Sequence, residues 1–274
     1  MRKIIFLDVD GTLVPFNNIV SNNVIEAIRQ ARENGHFIFL CTGRAKCAVE
    51  VFESIGFDGY ICGAGSYIEV NKQIIFDQYL NKQETNRIKT LFEKNHFSYN
   101  LEAKNATYQD QRVMRLIQLG KLFFKKEMEL IIKKYCLQHI SLYQYEPVYK
   151  MSFISLNKKK LIKVKHELEN EYHFLIHKRR LGFIYNGEII KKGFDKASAI
   201  NKVLQYMHIN KEDTICFGDS QNDLEMFQTC HYAVMMKNGY HGLKQYASSI
   251  CESVEDDGIY YELKRLGLID EKAD

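Results

Sequence analysis

Short apolar runs that end in small or acidic residues alternate, over the first third of the chain, with stretches in which apolar positions recur every three or four residues. Lys3 to Val9 is β-branched and aromatic, has no helical period and runs into Asp10-Gly11, which predicts a buried strand. "SNNVIEAIRQARENGH" follows with a helical apolar period, Ser21 as the N-cap and Gly35 as the stop. "FIFLC" reads as a second buried strand, closed by the turn "TGR", with a helix over Ala45–Ile55 behind it. "GYIC" reads as a third strand, and "SYIEV" with "QIIF" as a hairpin. The rhythm returns in the last third: a helix after Asp195, the strand "TICFG", a short helix over "NDLEMF", the strand "YAVMM" and a closing helix in "DGIYYELKRLGL". Strands alternating with helices in this way predict an α/β fold with a doubly wound, mostly parallel sheet and helices on both faces.

The middle of the chain breaks the pattern. From about Gln83 to Tyr185, long basic helices ("KQETNRIKTLFEKN", "KKEMELIIKKY", "KKKLIKVKHELENEY") stand among strands such as "ISLYQYE" and "VYKMSFISL". This α+β texture predicts an inserted domain over 83–185, between core segments 1–82 and 186–274. With two prolines in the whole chain and no low-complexity stretch, the insertion reads as folded.

Composition narrows the class. A chain of 274 residues, 46% hydrophobic and 26% charged, is long enough for two modest domains with real cores. The net charge of +4 suits anionic ligands without calling for nucleic acid. No apolar run reaches membrane-spanning length and the N-terminus enters a strand directly, so neither a membrane span nor a secretory signal is expected. Seven cysteines without CxxC or Cys/His ligand spacing point to reduced thiols, hence the cytoplasm, and away from a zinc site. Cys41, Cys62 and Cys216 end apolar runs, where a thiol serves as a small hydrophobe.

The strand ends carry the candidate chemistry. Asp8 and Asp10 fall at the C-terminal end of the first strand, the edge at which open parallel sheets bind ligands. On their own they fit either a cation-binding pair or ordinary Asp-Gly turn chemistry. A sheet gathers strand ends, and three further stretches come into view. "FIFLC" ends in Thr42-Gly43-Arg44, a hydroxyl beside a backbone N–H that an anion can approach closely. Lys196 opens a helix, and "TICFG" ends in "GDSQND", which supplies Asp219, Ser220, Asn222 and Asp223. Asp8, Asp10, Asp219 and Asp223 are hard oxygen donors suited to Mg²⁺, while Thr42, the Gly43 backbone, Asn222 and Lys196 suit phosphoryl oxygens.

In order and spacing, "DVDGT", "TGR", the lysine and "GDSQND" resemble the motifs of the haloacid dehalogenase (HAD) superfamily of phosphatases. The insertion looks like the C2-type cap of its Cof-like subfamily (type IIB). The resemblance covers Arg2–Leu80 and Glu188–Leu268, with "MMKNGYHGLKQYA" and "EDDGIYYEL" in character. It implies a Mg²⁺-dependent hydrolase of small phosphorylated metabolites, sugar phosphates foremost, monomeric or homodimeric. It further implies that Asp8 is the nucleophile that forms an aspartyl-phosphate and Asp10 the general acid, then base. The metal would be held by the Asp8 side chain, the Asp10 carbonyl and Asp219, with Ser220 and Asp223 adjoining. Phosphate would be met by the Val9 backbone, Thr42, Gly43, Asn222 and Lys196, and Lys150 in "VYKMSF" is the cap's candidate substrate contact. One departure stands out: Ala64 in "ICGAGSYI" occupies a place where the family usually carries asparagine.

Competing readings remain open at this level. A phosphomutase or phosphotransferase would use the same motifs, and a phosphorylatable receiver-type module or a non-catalytic metabolite binder shares the acidic pocket with its Thr/Ser and Lys. Chain length, the insertion and the acid two positions beyond Asp8 speak against the receiver. "GAGSYI" lacks the third glycine of a dinucleotide fingerprint, since Ile68 stands there. The runs Lys158–Lys160 and Lys178–Arg180 read as solvated faces, His139, His173 and His177 as surface or packing residues, and Arg44 as an ion pair to the core or a phosphate contact.

Overall fold

The computed structural model describes residues 2–178 and 184–270. The chain opens with β1 (Ile4–Leu7), α1 (Asn22–Glu33), β2 (Phe37–Cys41), β3 (Gly59–Cys62), β4 (Tyr67–Val70) and β5 (Gln73–Asp77). Next come α2 (Lys82–Lys94), β6 (Ser98–Ala103), β7 (Thr107–Gln109), α3 (Gln111–Phe123), α4 (Lys125–Lys134) and β8 (Leu137–His139). Then follow β9 (Val148–Ser155), α5 (Lys158–Leu168), β10 (Tyr172–Lys178) and β11 (Tyr185–Lys191). The last stretch is α6 (Lys196–Met207), β12 (Thr214–Gly218), α7 (Leu224–Thr229), β13 (Tyr232–Met236), β14 (Ser249–Cys251) and α8 (Gly258–Arg265).

Two compact units result. The first takes the chain up to Gly43, Val51–Asp77 and everything described from Asp195 on; the second takes Arg44–Glu50 and Gln78–Phe194. In the first, one sheet runs β14-β13-β12-β1-β2-β3-β4-β5, parallel from β14 to β3 and antiparallel through the β4–β5 hairpin. β1 lies at its centre, and Ile4 to Leu7 are all fully buried, as expected of a strand covered on both faces. Ile4, Phe6 and Phe39 join Ala199, Ile200 and Val203 of α6 and Met226 and Phe227 of α7 in one core, while α1 packs on β2 and α8. The Ser21 hydroxyl accepts from the Val24 N–H at the start of α1, and Gly35 turns the chain away from its end at φ +86°.

The second unit has its own sheet, β10-β11-β9-β6-β7-β8. One face (Tyr99, Leu101, Met151, Phe153, Ile189) packs on Ile88 and Phe92 of α2 and on Leu161, Val164 and Leu168 of α5. The alternating positions of the same strands carry Asn100, Glu102, Lys150, Ser152 and Glu188, as the period of two requires. Here Lys150 is buried, with Nζ 3.3 Å from Glu102 and 2.9 Å from Glu188. The Ser152 hydroxyl donates to the Glu102 carboxylate at 2.6 Å. Lys150→Met strands the Glu102 carboxylate in the interior and is expected to cost about 3–5 kcal/mol. Urea unfolding measures it, and a loss below about 1 kcal/mol would mean the triad is not holding a buried charge.

Several elements differ from the expectations above. The helix expected over Ala45–Ile55 is two 3₁₀ segments, Lys46–Ala48 and Glu50–Ile55. Ala45 offers no capping side chain, and β-branched Val49 and Val51 interrupt the run. The strand expected over "ISLYQYE" is a 3₁₀ turn at Ile140–Leu142 followed by irregular chain, in which Tyr145 takes a left-handed φ of 61°. α3, β6, β7, β8, β10, β11 and β14 carry no expectation above. The second unit reaches past 83–185 at both ends because Leu80 N–H donates to the Val148 carbonyl and β11 pairs with β9 and β10. It also takes in Arg44, which donates to the Ala48 carbonyl at 3.1 Å and lies 5.4 Å over the Tyr135 ring. Of the basic run at Lys178–Arg180, the arginines Arg179 and Arg180 lie outside the described residues, as do the side chains of His177 and Lys178. No described helix is long and apolar enough to cross a membrane.

Candidate active site

Asp8 continues β1 by one residue, its N–H donating to the Phe217 carbonyl of β12 at 3.0 Å, and its side chain is buried. The chain then closes a tight loop. Leu13 and Val14 donate to the Val9 carbonyl at 3.0 and 2.9 Å, and Gly11 donates back to Val14 at 2.9 Å. Gly11 sits at φ +83°, and a Cβ on it would lie 2.4 Å from Oδ2 of Asp219. The loop bearing Asp8 and Asp10 thus rests directly on the acid at the end of β12, and the Thr12 hydroxyl adds a long contact of 3.4 Å to Asp219 Oδ1. Gly11→Ala combines a clash with left-handed backbone strain of about 1–2 kcal/mol. It is expected to lower the thermal midpoint by several degrees; an unchanged midpoint would mean that the loop does not rest on Asp219.

Asp223 organises the neighbouring loop. Its Oδ2 accepts the backbone N–H groups of Asp219 and Ser220 at 3.0 and 2.9 Å, and its Oδ1 takes the Lys196 ammonium at 2.6 Å. Lys196 makes a second bond, also 2.6 Å, to Asp8 Oδ1. Lys196 is the first residue of α6; Asp195 caps that helix by accepting the Ser198 N–H at 2.6 Å. The Ser220 hydroxyl donates to Asn222 Oδ1. The "KNG" turn braces both loops: Asn238 donates to the Gly11 carbonyl at 3.0 Å, and Tyr240 N–H to the Asp219 carbonyl at 2.6 Å.

Beside Asp8, at the end of β2, Thr42 is buried, donates its N–H to the Ile61 carbonyl at 2.8 Å and accepts the Ala64 N–H at 3.1 Å. Ala64 is held at φ 55°, ψ 38°, the left-handed region in which asparagine is far more at home than alanine. The departure noted in the sequence therefore changes backbone ease as well as side chain.

The electrostatics follow from one ammonium placed among three carboxylates. Burial, then the charge of Asp223, pushes Asp8 up to about 8 against the pull of Lys196. Burial, Asp223 and Asp10 push Asp219 up to about 7. Burial works against the charge on Lys196, but Asp223 and Asp8 outweigh it and keep the amine protonated above its ordinary range. The cluster is short of positive charge. One oxygen from each of Asp8, Asp219 and Asp223 lies within 4.8 Å of the others, an all-oxygen set of the kind a hard divalent cation prefers.

Asp8, Asp10, Asp219, Ser220, Asn222, Asp223 and Lys196 thus converge, with Val9 in the loop and Thr42-Gly43 at the adjacent strand end. Both oxygens of Asp223 are engaged by protein donors, which makes it a support for Lys196 and for the Asp219 loop. Arg44 and Lys150 belong to the second unit. Thr12, Asp195 and Asn238 are supports that the motifs do not name. Thr12 stands inside "DVDGT" and could have been read there; Asn238 carries no local signal.

The family described as haloacid dehalogenase-like hydrolase matches residues 5–263. The 5-amino-6-(5-phospho-D-ribitylamino)uracil phosphatase YitU of Bacillus subtilis (strain 168) is 24% identical over 95% of this chain and 96% of its own. The crystal structure of a hypothetical protein from Geobacillus kaustophilus HTA426 superposes with a TM-score of 0.81, at 24% identity, over 98% of this chain and 100% of that one. The subclass IIB sugar phosphatase BT4131 superposes with a TM-score of 0.76, at 22% identity, over 97% of this chain and 100% of that one. With the motif residues gathered at the C-terminal ends of β1, β2 and β12 and the family match running almost end to end, the chain belongs to the haloacid dehalogenase-like hydrolases.

Proposed function

We propose that this hydrolase is a Mg²⁺-dependent phosphatase of small phosphorylated metabolites, working through an aspartyl-phosphate on Asp8. The observation that carries the reading is the buried Asp8–Lys196–Asp223 bridge set against Asp219 at the mouth of the parallel sheet. The Asp8 carboxylate attacks phosphorus and the bond to the leaving oxygen breaks, while Asp10 gives that oxygen its proton. Asp10 then takes a proton from the water that attacks the phosphorus, which frees Asp8 and releases phosphate. Lys196, the Thr42 hydroxyl, Asn222 and the N–H groups of Val9 and Gly43 meet the phosphoryl oxygens. Their task is positioning and charge stabilisation, the main work of phosphoryl transfer.

The donor set fits Mg²⁺, held by the Asp8 side chain, the Asp10 carbonyl and Asp219, with Ser220 and Asp223 adjoining. Bound there, the ion supplies the positive charge the cluster lacks. The second unit is read as the cap implied by the resemblance, with Lys150 and Arg44 as its substrate-contact candidates. Sugar phosphates are the first class to test, since one structural neighbour is named a sugar phosphatase and one relative is named for a phosphorylated ribityl compound.

The test is phosphate release from p-nitrophenyl phosphate and a panel of phosphorylated metabolites. Release that stops with EDTA and returns with Mg²⁺ supports the reading. Activity indifferent to metal overturns the metal assignment, and transfer to an added sugar without free phosphate points to a phosphotransferase.

A pH signature accompanies the metal. The folded-state values of Asp8 and Asp219, about 8 and about 7, lie above their ordinary 3.8. The stability these groups contribute to the metal-free protein is therefore full below pH ~4 and lost as pH rises through 7 and 8. Because protons compete with the metal for the same oxygens, the rise in melting temperature on adding Mg²⁺ is expected to be larger at pH 8 than at pH 5. Differential scanning fluorimetry reads both; a Mg²⁺ shift that shrinks with pH contradicts the assignment.

A further inference from the structure

The strand register of the second unit sets polar side chains in rows. Glu188 of β11, Ser152 of β9, Asn100 of β6 and Gln109 of β7 pair in that order across the sheet. Neighbouring strands run about 4.8 Å apart, and the row spaces its groups at that interval. Two residues along each strand, on the same face, Asn186 pairs with Ile154 and Ile154 with Ser98. These two rows floor a cleft of about 190 Å³, with Val113 from the first turn of α3 at its side. One water needs only about 10–15 Å³.

The cleft gathers hydrogen-bonding groups that the fold leaves unused. Asn186 Oδ1 is buried and has no hydrogen-bond partner among the described residues. Gln109 is 4% exposed, and its amide makes no side-chain hydrogen bond among them either. Asn100 accepts the Ser152 N–H at 3.0 Å through Oδ1, which leaves its two amide hydrogens. Glu188 turns Oε2 to Lys150 at 2.9 Å and keeps Oε1. Buried amides without partners are rare in folded chains, and each calls for a reason.

We propose that this cleft binds a neutral, hydroxyl-rich molecule, a sugar or polyol without a phosphate group. A hydroxyl both donates and accepts, so a string of them satisfies the Asn186 oxygen, the Asn100 NH₂, the Gln109 amide and the Glu188 carboxylate in turn. An anion fits poorly, because Asn186 Oδ1 and Glu188 meet it with lone pairs and Lys150 is already held between Glu102 and Glu188. A flat aromatic base fits poorly too: Tyr99 and Phe153 turn their rings to the opposite, core face and leave no platform for stacking. None of the groups lining the cleft touches phosphorus or metal in the proposed hydrolysis, so the cleft and the hydrolysis are tested separately.

Saturation-transfer NMR on the full, Mg²⁺-free chain, with D-glucose and ribitol as probes and inorganic phosphate as the anionic competitor, is the experiment. Expected is transfer to at least one probe with a Kd of about 1 mM or tighter, undisturbed by phosphate. The side-chain NH₂ resonances of Asn100, Gln109 and Asn186 shift in the same titration, which locates the probe without any substitution. Asn186→Leu and Gln109→Leu are each expected to weaken binding about tenfold or more while the thermal midpoint stays level or rises, since each removes an unpaired buried amide. A merely structural amide gives the reverse pattern, a lower midpoint with unchanged binding. Asp8→Asn is expected to bind the probe as the parent does. No transfer to either probe at ~10 mM, displacement by phosphate, binding lost in Asp8→Asn, or binding unaltered in both leucine variants would each overturn the proposal.

Discussion

Asp8→Asn is expected to remove hydrolysis while sparing the fold, and the two effects should carry opposite signs. Loss of a covalent nucleophile costs about 10⁴-fold or more in turnover. The amide keeps an oxygen for the Lys196 ammonium, which bonds Asp8 Oδ1 at 2.6 Å, and Asp223 still pairs with that lysine. What disappears is a buried carboxylate crowded by Asp223 and Asp219, whose pKa stands at about 8. In the metal-free protein above that pH, Asp8→Asn is expected to be as stable as the parent or more stable, by on the order of 1–2 kcal/mol. Below pH ~4, where the carboxyl is protonated folded or unfolded, the difference should vanish. Phosphate release and urea unfolding at pH 5 and pH 8 read both halves. Retained turnover would end the covalent proposal, and a strongly destabilised variant would contradict the charge crowding.

Lys196→Met is the second large effect, and here stability and activity fall together. Among the described residues, the Lys196 ammonium bonds both Asp8 and Asp223. Without it both carboxylates remain buried and unpaired, with an expected cost of about 3–5 kcal/mol. The folded-state value of Asp8, already raised by burial, then rises further, so the loss is small near pH 4 and grows toward pH 8. Combining it with Asp8→Asn removes one of the two stranded charges and is expected to recover part of the loss, so the double-mutant cycle reports a coupling well above 0.5 kcal/mol. Strictly additive effects would mean that the bridge contributes no specific energy. Turnover should drop as well, since the same ammonium is proposed to meet the phosphoryl oxygens.

Much of the first unit was legible because its signals are local. The apolar run ending at Asp8, the Ser21 cap, the turn at Thr42-Gly43 and the strand ending in "GDSQND" each state a structure within a few residues. The doubly wound arrangement of β1, β2, β12 and β13 follows from their alternation with helices. The second unit was less legible. "ISLYQYE" has strand-like residues, but Tyr145 in a left-handed conformation and the 3₁₀ turn at Ile140–Leu142 override them. The segment 44–50 begins inside the motif "TGR", yet its Arg44 lies over the Tyr135 ring in the second unit, which no window of neighbouring residues reports.

Sequence alone determined which groups are available at the strand ends, because a buried strand must stop somewhere and its last residues are its only exposed chemistry. Tertiary structure decided how those groups are used. That Gly11 must lack a Cβ because Asp219 lies against it, and that Asp223 spends both oxygens on Lys196 and the Asp219 loop, are facts of the folded chain that no short stretch of sequence states. Charge crowding and hydrogen bonding depend on distance in space, and only the folded chain sets that distance.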